Sequence, residues 1–186
     1  HVFGVSEFAA RFGPAVFGIG TVLSLWILGR SISSSAAAPT QFTTTIALVA
    51  ASTLGILAFA HGASFDIIVT FPITASLVSF YIWHSKYETG GVTNGHGVSP
   101  SLLLFYVFIG VALLAKGLIG AVFPLAIVSF YYLLSRKLPS RTLVVSLCWG
   151  ALIAIAVAAT WYVPVYVKHG YEFIDEFFVQ HHFQRF

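Results

Sequence analysis

The fold is decided by residues 102–128, which read LLLFYVFIGVALLAKGLIGAVFPLAIV. Two apolar runs flank Lys116 and Gly117, and no polar loop separates them. Each run is slightly shorter than the roughly 20 residues with which a helix crosses the apolar core of a bilayer. We therefore predict a tight helical hairpin whose turn, at Lys116 and Gly117, lies below the membrane surface.

The composition of the whole chain is that of a membrane protein. Of its 186 residues, 58% are hydrophobic and 8% are charged, whereas soluble proteins carry about 25% charged residues. Apolar segments of near-spanning length cover about residues 13–29, 41–60, 66–84, 101–116, 118–135 and 142–162. The remaining stretch, 165–186, alternates aromatic and charged residues and predicts an amphipathic helix in the outer interface. The predicted fold class is all-α and integral to the membrane, with about six transmembrane helices.

The distribution of Lys and Arg predicts the orientation, because cytoplasmic loops carry the larger number of basic residues. One side has Arg30, Lys86, Arg136, Lys137 and Arg141, and the other has Arg11, Lys168 and Arg185. The hairpin turn, the 61–64 turn and the C-terminal tail are therefore predicted to lie outside. Most of the acidic residues fall on that same side, namely Glu7, Asp66, Glu172, Asp175 and Glu176. An outer site that uses carboxylates is the expectation.

Lys116 is the most informative residue, because a charged residue within a span is costly and usually functional. Neither helix of the hairpin contains an acid. Three roles remain open: the side chain extends to water, it binds an anion such as a lipid phosphate, or it pairs with Asp66. Asp66 begins the third span, where Ser64 suits a helix cap and an acid suits the helix N-terminus. Its alternative role is a carboxylate in an outer cavity, with His61 nearby.

The sequence gives little support for a metal site, a disulfide, or a site for nucleic acid or nucleotides. Adjacent helical residues point about 100° apart, so His181 and His182 cannot bind one metal ion together. A metal at His182 would need ligands from elsewhere in the protein. Cys148 is the only cysteine, which excludes an internal disulfide. No basic stripe indicates nucleic-acid binding, and no nucleotide-binding motif is present.

The chain begins at His1 and contains no Met, and we expect a fragment of a longer protein.

Four segments together resemble a known family, the GT-C type membrane glycosyltransferases that use polyprenyl-phosphate sugars. The resemblance is strongest to the aminoarabinose transferase and protein O-mannosyltransferase-like group. The matching segments are FGVSEFAARF at 3–12, ASFDIIVTF at 63–71, LLAKGLIGAVFPL at 113–125 and WYVPVYVKHGYEFIDEFFVQHHFQRF at 161–186. They occur in the family's order and at about its spacing.

The resemblance implies an inverting enzyme of the bacterial inner membrane. The enzyme would transfer a sugar from a polyprenyl-phosphate donor to a lipid, protein or glycan acceptor on the periplasmic or outer side. Lys116 would hold the donor phosphate, with Asp66 at the edge of the same cavity. His182 would help to hold a divalent metal ion. The family's catalytic carboxylate belongs to a first outer loop, expected upstream of His1, so the fragment is not expected to be active alone.

The rival interpretation is a segment of a transporter or flippase for an anionic substrate. A buried Lys beside Gly117, and helices broken by proline, would suit such a path. No inverted repeat is visible in the sequence, which weighs against this alternative.

Overall fold

The computed structural model describes residues 6–36, 40–62, 64–88 and 99–169, and every regular element within them is an α-helix. The elements are α1 (Glu7–Ala36), α2 (Thr40–Ser52), α3 (Leu54–His61), α4 (Phe65–Glu88), α5 (Pro100–Lys116), α6 (Leu118–Leu134) and α7 (Arg141–His169). The predicted all-α class is confirmed.

Local sequence signals explain where the central helices begin and end. Ser64 accepts a hydrogen bond from the Asp66 backbone N–H at 3.2 Å, so it caps α4 as expected. Pro100 occupies the first turn of α5, where its missing N–H costs nothing. Gly117 ends α5 with φ 63° and ψ −146°, a conformation that is largely restricted to glycine. The predicted hairpin of α5 and α6 is therefore present.

The predicted span 41–60 differs from the structure, which contains two helices bent by 51°. The break is at Thr53, whose backbone is extended and whose hydroxyl donates to the Val49 carbonyl at 2.7 Å. The Ser52 hydroxyl donates to the same carbonyl. Serine and threonine side chains compete in this way with the hydrogen bonds of a helix, and apolar periodicity alone does not reveal that competition.

Other boundaries also differ. α7 continues to His169, so residues 165–169 end that helix and do not begin a separate interfacial one. The rest of the predicted helix 165–186 lies outside the described residues. Among the described helices, α1, α4 and α7 are each long and apolar enough to cross a membrane, and the bent pair α2–α3 could form one more span. α5 and α6 are shorter, and the count of about six spans stays a prediction.

The core lies where α4, α5, α6 and α7 meet. Its buried members include Trp83, Phe105, Tyr106 and Ile109, and Phe105 and Trp83 both contact the ring of Phe80. α4 and α5 run antiparallel and form the most extensive helix pair. Much apolar surface remains exposed on the outer faces of the bundle. Large exposed apolar surface is typical of a protein in lipid or against further protein.

Candidate functional site

An ion pair joins the ends of α4 and α5. The Lys116 Nζ donates a hydrogen bond to the Asp66 Oδ1 at 2.6 Å, across fifty positions of sequence. Of the three roles left open for Lys116, pairing with Asp66 is therefore the contact that the structure contains. The two residues predicted from sequence to share a site lie together.

Local backbone geometry places this pair. α5 ends at Lys116 because Gly117 reverses the chain, and α6 returns so closely that Gly120 contacts the backbone of Ala112. Asp66 is the second residue of α4, which starts after the Ser64 cap. Since α4 and α5 run antiparallel, the C-terminus of one meets the N-terminus of the other at the same end of the bundle.

The two long helices extend beyond this pair. Gly18 of α1 lies against Ile67, so about three turns of α1 precede the level of Asp66. On the other flank, the Tyr162 hydroxyl of α7 donates to the Leu113 carbonyl at 3.1 Å, one turn before Lys116. α7 then continues to His169. The ion pair thus lies at a recessed level between the projecting ends of α1 and α7.

The pair is accessible to a ligand. The Lys116 side chain is 47% exposed and that of Asp66 is 57% exposed. An ammonium group has three donors, of which Asp66 takes one. Exposed ion pairs contribute little to stability, and the other two donors can bind an incoming anion while the pair stays in place.

A second ion pair marks the opposite end of the bundle. The Lys137 Nζ donates to the Glu88 Oε1, also at 2.6 Å, and this hydrogen bond raises the pKa of Lys137 above its ordinary value. His84 lies one turn from Glu88 and hydrogen-bonds to the Tyr131 hydroxyl at 2.9 Å. The distribution of Lys and Arg predicted that the hairpin turn and the loop after α6 lie on opposite membrane faces. In the structure these two loops lie at opposite ends of the bundle.

The remaining predicted site residues have different outcomes. His182 and the acids Glu172, Asp175 and Glu176 lie outside the described residues. Glu7 forms an ion pair with Arg11, one turn away on its own helix, at 3.6 Å. Within residues 6–36, 40–62, 64–88 and 99–169, no group of three or more His, Cys, Asp or Glu side chains is placed to hold a metal ion. The metal assignment of His182 stays a prediction.

Tyr162 is the residue whose place the sequence interpretation missed. Its position near the end of an apolar run predicts an aromatic anchor at the interface. In the structure, its hydroxyl links α7 to the Leu113 carbonyl of α5, one turn before Lys116. The sequence contains no signal for that contact, because a tyrosine near the end of an apolar run fits both roles.

The sequence of the chain is similar to those of known proteins. The sequence model of the dolichyl-phosphate-mannose-protein mannosyltransferase family matches residues 1–173. The chain belongs to this family. The match covers every described helix, including both members of the Lys116–Asp66 pair.

Two individual relatives match the chain over nearly its whole length. The chain is 26% identical to an undecaprenyl phosphate-alpha-4-amino-4-deoxy-L-arabinose arabinosyl transferase of Aeromonas hydrophila subsp. hydrophila, over 100% of the chain and 32% of that protein. It is 29% identical to an uncharacterised protein of Aquifex aeolicus, over 95% of the chain and 32% of that protein. The chain thus spans about a third of the length of these relatives. No solved structure matches it significantly.

Proposed function

We propose that this chain is part of an integral membrane glycosyltransferase that takes a sugar from a polyprenyl-phosphate donor. In this proposal Lys116 binds the donor phosphate and Asp66 positions its ammonium group. The observation that carries the proposal is the accessible Lys116–Asp66 ion pair, recessed between the ends of α1 and α7.

Membership of the mannosyltransferase family supports sugar transfer over the transporter alternative. The relative from Aeromonas hydrophila is named for transfer from an undecaprenyl-phosphate sugar, which supports a donor of that chemical class. The predicted localisation is the bacterial inner membrane, with the site facing the periplasm. The acceptor class stays open among lipid, protein and glycan.

The proposed roles follow from charge. A phosphate oxygen accepts hydrogen bonds from an ammonium group, and such charge-assisted bonds are short and strong. Asp66 is an anion and would repel the phosphate directly. Its contribution is to fix the direction of the Lys116 side chain, which otherwise has four rotatable carbon–carbon bonds. The remaining ammonium donors are then available to the phosphate.

The reaction requires one bond to form and one to break. An acceptor hydroxyl oxygen attacks the anomeric carbon of the sugar as the bond from that carbon to the phosphate oxygen breaks. The hydroxyl proton passes to a carboxylate base, as is usual in glycosyl transfer, and the polyprenyl phosphate leaves with both bonding electrons. Negative charge grows on the leaving phosphate, and a fixed ammonium group stabilises that charge.

The catalytic base is not assigned to any described residue, and the expectation from the family resemblance that it lies upstream of His1 stays a prediction. The divalent metal predicted at His182 also remains a proposal, and no step above depends on it.

The test uses the full-length protein in membranes with a labelled polyprenyl-phosphate sugar. We expect Lys116→Ala to lower sugar transfer at least about tenfold, since one charge-stabilising donor is lost from the transition state. Lys116→Arg should retain part of the activity because it keeps the positive charge.

Lys137→Ala is the matched control. It removes a lysine from an ion pair of the same length and similar exposure at the opposite end of the bundle. Equal transfer by Lys116→Ala and wild-type protein, with normal insertion, would remove Lys116 from the donor site.

A further inference from the structure

A cavity lies far from the Lys116–Asp66 pair. α6 and α7 follow each other along the chain, but among the described helices each packs on α5 and not on the other. The space between them is a groove of about 590 Å³. Its walls are formed by apolar side chains of both helices, such as Leu125 and Val128 on α6 and Val144 and Leu147 on α7.

The mouth of this groove is cationic. Arg136 and Lys137, in the turn between the two helices, line the same cavity as the apolar walls. Arg141 begins α7 beside them, and the N-terminus of a helix itself favours anions. Lys137 is paired with Glu88, while no carboxylate of the described residues pairs with Arg136. The apolar walls suit the hydrocarbon chain of an amphiphile. The unpaired Arg136 at the mouth suits a negatively charged headgroup.

The backbone at Arg136 supports a role for its side chain. Arg136 has φ 51°, and it is the one non-glycine residue of the described ranges with a positive φ. The Lys137 N–H donates to the Tyr132 carbonyl and the Arg136 N–H to the Leu133 carbonyl, which together form a Schellman motif at the end of α6. Glycine is the favoured residue at this position because other side chains are strained there. An arginine at that point costs folding free energy that glycine would not.

We infer that the groove between α6 and α7 binds an anionic phospholipid, with its phosphate at Arg136 and an acyl chain between the two helices. This site is separate from the donor site because the turn lies at the end of the bundle opposite Lys116. The predicted orientation puts it in the cytoplasmic leaflet, whose anionic lipids attract basic residues next to the membrane. The volume falls within the usual range for a ligand pocket, roughly 300–1,000 Å³.

The test is a titration of the full-length protein with lipid in detergent. Lipid binding is measured by the change in the protein's melting temperature. Phosphatidylglycerol should bind at least about fivefold more tightly than phosphatidylcholine, which is the advantage expected from one basic residue. Arg136→Gly should remove that preference. Glycine suits the left-handed backbone, so the variant without lipid should melt at the wild-type temperature or higher.

Two further variants separate the headgroup from the groove. Val144→Trp fills the groove and should weaken the binding of both lipids. Leu147→Phe serves the same purpose if the tryptophan variant fails to fold. Arg30→Gln is the control, since it removes a cation at the same membrane face but away from this cavity. Inorganic phosphate alone should not displace phosphatidylglycerol.

Three results would overturn the inference. They are equal affinity for the two lipids, an unchanged preference in Arg136→Gly, and unchanged binding in the groove-filling variants. The last result would indicate that another segment of the full-length protein fills the space between α6 and α7. Sugar transfer need not be measured, so failure here is distinct from failure of the proposed function.

Discussion

Gly120 provides a direct test of the hairpin that holds Lys116 in place. α6 passes so close to α5 at this point that a Cβ on residue 120 would overlap the Ala112 carbonyl group and the Leu113 backbone nitrogen. These are backbone atoms and cannot rotate away. Gly120→Ala therefore forces the two helices apart at the turn.

The size of the effect follows from two opposing terms. Overpacking of this kind costs about 1–3 kcal/mol. The substitution also replaces glycine by a better helix former, which returns about 0.5–1 kcal/mol. A net loss of stability of roughly 1 kcal/mol is expected. Separation of the helices should also move Lys116 away from Asp66 and lower sugar transfer.

The measurement is thermal unfolding of the full-length protein in detergent, together with transfer activity. Gly55→Ala is the matched control, because Gly55 also lies in the first turn of a helix and no described atom is within 4 Å of its added Cβ. Gly120→Ala should unfold at a lower temperature than Gly55→Ala. If the two variants unfold at the same temperature and transfer sugar at the same rate, α5 and α6 do not approach each other as closely as described.

Three further predictions concern other contacts. Tyr106→Phe removes the buried 2.7 Å hydrogen bond to Ser146 and should destabilise the protein by about 1 kcal/mol; an unchanged melting temperature would contradict this. Tyr162→Phe removes the hydrogen bond to the Leu113 carbonyl. We expect the rate of sugar transfer to fall while the melting temperature changes little. A lower melting temperature with an unchanged rate of transfer would indicate a purely structural role. His182→Ala in the full-length protein should weaken any dependence of transfer on divalent metal, and activity that is insensitive to both chelator and substitution would refute the metal assignment.

The sequence predicted the helices well because their signals are local. Apolar length indicated where most of the described helices lie, Ser64 marked the start of α4, and Gly117 marked the hairpin. The bend at Thr53 was missed because it depends on a hydroxyl that bonds to a carbonyl four residues earlier. A hydropathy pattern contains no information about that choice.

The candidate site could be predicted only in part. A lysine in an apolar hairpin is conspicuous in the sequence, and Asp66 begins a predicted span on the same predicted side. Whether the two side chains meet depends on the antiparallel packing of α4 and α5, which is a long-range property. The link from Tyr162 to α5 depends in the same way on the tertiary packing of α7.

The central claim is that the ammonium group of Lys116 binds the phosphate of the lipid-linked sugar donor. Its most direct test is the affinity of the full-length protein for polyprenyl phosphate, compared between Lys116→Ala and Arg30→Gln. The loss of one charge-assisted hydrogen bond should weaken binding at least about tenfold in Lys116→Ala, and Arg30→Gln, which changes neither proposed site, should keep the wild-type affinity. Equal affinities in the two variants would contradict the account.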